Sequence, residues 1–278
     1  MNSLSGGKVP YLPFDGRPFK QRIGIRPLDL TMWIEPDDQF DAQMKLKAAL
    51  LSERHPDVFL ALPYALDAAA EVDALIDVHM QTYFPHLAFS VPGDLHPLER
   101  AGRRVQEDLC LMVAHNGELV LGAASLCFPG RWRLADKIGL PMLAIHQPVA
   151  RYEADIGKPT DDLLERLTVE RPVWRLNWSL VDDPTLFQQG GHGLAPSPIA
   201  PADLYLRVER QTLRRLPRTG AILFTIRTYV QRLPDAVTTA FDRAVLADAL
   251  AAMPDDVRAY KSLSGVADTT IQWLRSMA

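Results

Sequence analysis

The sequence predicts an α+β fold, an antiparallel sheet of about five strands with flanking helices. Three observations predict it. Two apolar runs, Leu109 to Ala114 and Leu119 to Phe128, flank Asn116-Gly117, a pair that supplies the positive φ angles of a tight hairpin turn. Segments 173–181, 203–215 and 220–230 carry strand patterning, and Pro217 to Gly220 makes the turn between the last two. The order is helices, hairpin, short helices and then three strands, so the helices are inserted between and flank the strands rather than alternating with each of them.

In chain order, residues 1–36 hold Pro10, Tyr11, Pro13, Phe14, Pro18, Phe19, Pro27, Trp33 and Pro36. They read as an extended arm packed on the body, because free tails are poor in aromatics. A core follows over 37–232. Residues 37–55 form a helix with Phe40, Met44, Leu46, Leu50 and Leu51 roughly on one face, and Asp37 and Asp38 favour its N-terminus. Residues 65–82 form another, with Leu66, Ala69, Val72, Leu75, Ile76 and Met80 apolar. Arg133 to Ile138 and Asp161 to Leu167 are short helices, the first ended by Gly139 and Pro141. In the strand 203–215, Leu204, Leu206 and Val208 alternate with Tyr205, Arg207, Glu209 and Gln211. In 220–230, Ile222, Phe224 and Ile226 share a face. Helices over 236–252 and 255–277 form a C-terminal unit, 233–278, packed on the core. A small sheet crossed by helices is the layout of a PAS-like fold, an order that several other α+β folds share.

Composition narrows the function classes. With 47% hydrophobic and 23% charged residues and a net charge of −4, the chain has the content for a core. It lacks the excess of Lys and Arg that nucleic acid or an anionic membrane demands. Two cysteines, Cys110 and Cys127, are too few for a disulfide framework. No stretch approaches the ~18 apolar residues of a membrane span, and the first residues lack a signal-peptide core. A soluble, cytoplasmic protein is expected. Phosphate-loop, HExxH and GxSxG motifs are absent from the sequence.

The chemistry-bearing residues stand among strand-like segments, where an unpaired charge is costly. His146 follows Met142-Leu143-Ala144-Ile145 and precedes Pro148. It is either a core histidine bonded to a backbone carbonyl or an axial heme ligand through its neutral ring. Cys127 is the rival ligand, or a small core residue. His192, in Gly190-Gly191-His192-Gly193, is a loop histidine or a lid residue. Arg175 and Asn177 share one face of their strand, as do Arg207, Glu209 and Gln211. That stripe is either a solvated sheet face or a ligand layer, with arginines for carboxylates such as heme propionates and Glu209 for a cationic substrate. Arg210 points to the other, apolar face and needs a partner there. Arg131 and Arg133, flanking Trp132, are a further propionate option.

At these residues the sequence resembles the heme-binding subunit family of heme-dependent oxidative N-demethylases. The resembling segments are Pro10-Tyr11-Leu12-Pro13-Phe14, Cys127-Phe128-Pro129-Gly130-Arg131-Trp132, Ile145 to Val149, Trp174 to Trp178, Arg207 to Leu213, Leu216-Pro217, and Phe224 to Tyr229. The resemblance implies a PAS-like heme b domain that uses O2 and electrons from a flavin and iron–sulfur reductase partner. It implies oxidation of a small methylated amine to formaldehyde and the smaller amine, in a bacterial enzyme. His146 lies in a resembling segment and is carried over as the iron ligand; Cys127 lies in one too. Arg175, Asn177, Arg207 and Arg210 are then cofactor-binding candidates and Glu209 the amine contact. Ala150 departs from the family, in which a second proline is expected. The alternative is a PAS-like sensor that holds heme or another small molecule without turnover.

Overall fold

The computed structural model describes residues 8–14, 24–147, 157–190 and 199–277. In chain order, β1 (Arg26–Pro27) leads to α1 (Phe40–Glu53), α2 (His55–Val58), β2 (Phe59–Ala61), α3 (Leu66–Tyr83) and α4 (Pro97–Gly102). A hairpin of β3 (Asp108–His115) and β4 (Glu118–Ser125) follows, then α5 (Met142–His146) and α6 (Lys158–Arg166). Three long strands come next: β5 (Val173–Val181), β6 (Tyr205–Arg215) and β7 (Ile222–Arg232). Helices α7 (Leu233–Ala236), α8 (Ala240–Ala251), α9 (Asp255–Tyr260) and α10 (Ala267–Ser276) follow them.

The strands make one antiparallel sheet in the order β1-β5-β6-β7-β3-β4-β2. The fold is α+β, as the sequence predicts. The described sheet has seven strands, however, rather than about five. The additions, β1 and β2, are 2 and 3 residues long, too short for alternation to register. The expected helix over 255–277 is two helices, α9 and α10. Between them Ser262 takes φ 59°, a left-handed conformation that ends a helix.

Local chemistry sets the turns. Asn116 and Gly117 have φ of 51° and 84°, so both central residues of the β3–β4 turn are positive, as a primed hairpin turn requires. The β6–β7 turn is held from outside. Glu71 of α3 accepts hydrogen bonds from the backbone N–H of Arg218 and Thr219 and from the Thr219 hydroxyl, at 2.6, 2.8 and 2.6 Å. In α8 a capping box between Thr239 and Asp242 satisfies the first turn.

Each face of the sheet meets a different cover. Leu109, Leu111 and Leu223 pack with α1, α3, α4 and Trp33 on one face. Further along that face, Leu206, Val208 and Tyr229 pack under Leu246, Leu250, Leu263 and Leu274 of the C-terminal helices. On the opposite face Cys110, Met112, Leu213 and Ile226 lie beneath Leu134, Ile145, Leu164 and Leu167. Each fully buried leucine contributes about 1.5–3 kcal/mol by leaving water. Among the described residues the second cover thins toward β5, whose residues 173–179 are half-buried.

Buried charges position two segments that matter below. The Lys47 ammonium, fully buried, donates to the carbonyls of Val105 and Glu107 at 2.9 and 2.6 Å and lies 4.0 Å from Asp108. Asp108 in turn accepts from the backbone N–H of Cys127 and Phe128 at 2.7 and 2.9 Å. Burial pushes its carboxyl up to about 6, with Lys47 pulling the other way. The chain leaving β4 is thus fixed. Near the N-terminus, Glu35 takes the Tyr11 hydroxyl at 2.5 Å, the Tyr229 hydroxyl at 2.9 Å and the Arg210 guanidinium at 3.1 Å. The Val9 N–H donates to Gln231 at 3.0 Å.

Candidate functional site: a polar layer on the open face of the sheet

Strand register builds the layer. β5 and β6 pair so that Arg175 faces Gln211 and Asn177 faces Glu209, and β7 sets Thr228 beside Glu209. Period-two geometry puts all of these side chains on the thinly covered face. Trp174, Leu176 and Trp178 take the other.

Glu209 is the hub. It accepts hydrogen bonds from the Asn177 and Gln211 amides at 3.2 and 3.0 Å on Oε2, and Arg207 Nε lies 3.4 Å from Oε1. Arg207, only 3% exposed, also donates to the Phe128 carbonyl at 2.6 Å and to Thr228 at 3.5 Å. The backbone of Gly130 presses against this pair. A Cβ there would stand 3.1 Å from Glu209 Oε1 and 3.7 Å from Arg207 Nε, so any larger residue would push the carboxylate aside by a few tenths of an ångström. The fixed exit from β4 therefore forms one wall of the layer.

The other wall comes from the C-terminal helices. Lys261, just past α9, donates to Asn177 Oδ1 at 3.3 Å and to the Trp178 carbonyl at 2.7 Å, with its ammonium 5.8 Å from the Trp178 ring. Burial lowers its pKa to about 8, Glu209 opposes that shift and Arg175 adds to it. The neighbouring Tyr260 hydroxyl is pushed up to about 12, by burial first and Glu209 second.

His146 ends α5. Its Nδ1 lies 2.9 Å from the Met142 carbonyl. A carbonyl only accepts, so Nδ1 carries the proton and Nε2 the lone pair. Burial lowers the pKa of the ring, the Met142 contact works against this, and the charges of Lys137 and Arg175 lower it further. The ring is a neutral imidazole at pH 7. Arg175 acts on both His146 and Lys261, so the histidine shares an electrostatic environment with the polar layer.

Arg175, Asn177, Arg207 and Glu209 thus share one face, and α5, which carries His146, packs over the same side of the sheet through Met142 and Ile145. Arg210 does not join them. It is 2% exposed on the opposite face, bonded to the Met32 and Trp33 carbonyls at 2.5 and 3.1 Å, paired with Glu35 and set 5.3 Å over the Trp174 ring. Its partner there fastens the N-terminal segment rather than a ligand. Cys127 is fully buried in the helix-side core, and burial pushes its thiol up to about 12; it is a thiol, not a thiolate. Arg131 is ion-paired to Asp182. Pro148 to Ala150 and His192 lie outside the described residues. Among the described residues no group of three or more His, Cys, Asp or Glu side chains stands together, and iron in a porphyrin needs only one axial protein ligand. Lys261 and Gly130 are absent from the sequence-based set. A Phe-Pro-Gly-Arg stretch signals a tight backbone at Gly130, whereas nothing local marks Lys261.

Fold and site together define a helix-backed antiparallel-sheet protein with one histidine and a cation-rich polar layer at its open face. Residues 86–271 match the family described as haem-dependent oxidative N-demethylase, alpha subunit-like. The match spans well over half of the chain, and the chain belongs to this family. No helix among the described residues is long and apolar enough to cross a membrane.

Proposed function

We propose that this protein binds heme b and oxidatively demethylates a small methylated amine. O2 and two electrons from a flavin and iron–sulfur reductase partner would be consumed. One oxygen atom leaves in formaldehyde and the other in water, and the amine loses its methyl group. Family membership supports the heme dependence, and the description as an alpha subunit supports a partner.

The observation that carries the reading is the contact between His146 Nδ1 and the Met142 carbonyl at 2.9 Å. Iron-binding histidines donate the other ring N–H to a carbonyl or carboxylate, which orients the ring; here the Met142 carbonyl takes that role. The residues present fit the group. The His146 imidazole would hold the iron, and the half-buried Arg175 would supply a cation for a heme carboxylate. Cys110 and Cys127 are both fully enclosed in the core, which favours a non-covalent heme. Bound heme supplies the O2 chemistry. The chain's own residues do the rest: Glu209, held by Asn177, Gln211 and Arg207, receives the protonated amine and orients its methyl group. Asp108 and Gly130 hold the wall against which the carboxylate rests.

The test is an absorption spectrum of the protein supplied with heme, then reduced under carbon monoxide. Histidine ligation gives a Soret band near ~420 nm and thiolate ligation one near ~450 nm. Formaldehyde release with dimethylamine, O2 and a reductase completes it. No Soret band overturns the heme reading; heme without formaldehyde release favours a PAS-like sensor.

A further inference from the structure

The Asn177 amide has two ends and two different neighbours. Its oxygen accepts from the Lys261 ammonium at 3.3 Å and its nitrogen donates to Glu209 at 3.2 Å. Flipping the amide would set its NH2 against the ammonium and its oxygen against the carboxylate, two like-with-like contacts. Lys261 and Glu209 therefore fix together which way the amide lies. Lys261 also polarises it: a cation on the carbonyl end strengthens the N–H donors at the other. The lysine is itself fixed by its bond to the Trp178 carbonyl at 2.7 Å, on the strand that carries Asn177.

We infer that Lys261 is a positioning residue of the site, acting on the Glu209 carboxylate through the Asn177 amide. The relay runs from ammonium to amide to carboxylate. It gives the C-terminal helices a task beyond covering Leu206 and Val208, because α9 delivers the lysine to the edge of the sheet. Among the described residues β1 pairs with β5 at Val173 and Trp174, and Lys261 meets the same strand further on, at Asn177 and Trp178. This deepens the reading above, and the second arm of the test rests on it.

The first arm needs neither heme nor amine. In the full chain, the side-chain NH2 resonances of Asn177 are identified by their loss in Asn177→Ala. Lys261→Met is expected to shift them and speed their hydrogen exchange roughly tenfold, as loss of one charged hydrogen bond implies; Lys261→Arg restores them. The second arm measures dimethylammonium affinity of the heme-loaded protein through the Soret band. Lys261→Met weakens it by about tenfold on the same ground. In an Asn177→Ala background the same change has a much smaller effect, since the relay is already broken and only the direct attraction between Lys261 and Glu209 remains. Unchanged Asn177 resonances in Lys261→Met overturn the inference whatever the amine does. Equal losses with and without Asn177 overturn it too. Shifted resonances in a protein that binds no amine uphold the relay and sink the amine reading instead.

Discussion

Replacing Glu209 by glutamine separates the binding role of its charge from its structural role. The isostere keeps the shape of the carboxylate but turns one oxygen into an NH2 group. Asn177 and Gln211 both donate to Oε2, so the remaining oxygen must stay there. The new NH2 then faces Arg207, donor against donor. One charged contact is lost, while Arg207 keeps its bonds to Phe128 and Thr228. A hydrogen bond to a charged group contributes about 1.5–3 kcal/mol, and at about 2–4 °C per kcal/mol for a chain of this size the melting temperature falls by roughly 3–12 °C. The amine loses its counter-charge as well. An interaction of the same class weakens dimethylammonium binding by about 10- to 100-fold, with the Soret band of the loaded protein unchanged. Thermal melts and amine titrations of the wild type and Glu209→Gln, each against a neutral molecule of the same size, give both numbers. Loss of heme with unaltered amine affinity would refute the reasoning and make Glu209 a structural residue.

Three further outcomes are expected. His146→Ala abolishes the Soret band while the far-ultraviolet circular dichroism stays native, and added imidazole restores the band; a heme spectrum like that of the wild type removes His146 as the ligand. Gly130→Ala forces Glu209 Oε1 from a Cβ only 3.1 Å away, which lowers amine affinity by roughly 3- to 10-fold, on the order of 1 kcal/mol of overpacking, and Gly130→Val lowers it more. Glu71 carries a pH signature: burial works to raise its pKa, but the Thr219 hydroxyl and the Arg218 and Thr219 N–H groups outweigh it and hold the carboxyl below its ordinary 4.5. Its contribution is therefore complete above about that pH and fades as the pH falls below it. The melting difference between the wild type and Glu71→Gln should shrink from pH 6 to pH 3; a constant difference contradicts the assignment.

The long strands are legible in the sequence because alternation over nine or more residues leaves a clear period, and segment 173–181 coincides with β5. The Asn116-Gly117 turn is legible for the same kind of reason, since few dipeptides accept two positive φ angles. Short elements are not. β1, β2 and the five-residue α5 that carries His146 are shorter than the windows in which periodicity can be counted. The break at Ser262 is a local cap, in which the N–H groups of Ser262 and Leu263 bond back to the Ala259 and Arg258 carbonyls, and the Ser262-Leu263-Ser264-Gly265 stretch is its signal in the sequence. For the site, period two correctly groups Arg175 with Asn177 and Arg207 with Glu209 and Gln211, and it sets Arg210 apart. Its partner, Glu35, could not be named, because no pattern links positions so far separated. Lys261 is hidden on the same ground, in a segment that reads as one continuous helix.

The clasp around Glu35 carries a consequence for how the chain comes to be made. Val9 bonds to Gln231 across 222 residues, Tyr229 reaches Glu35 across 194, and Arg210 reaches Trp33 across 177. At roughly 5–20 residues per second of synthesis, the early segment waits on the order of 10–45 s before β6 and β7 exist to receive it. During that interval Tyr11 and Trp33 have no strand to dock on, and they are open to chaperones or to a neighbouring nascent chain. These early residues are then among the last to reach their places.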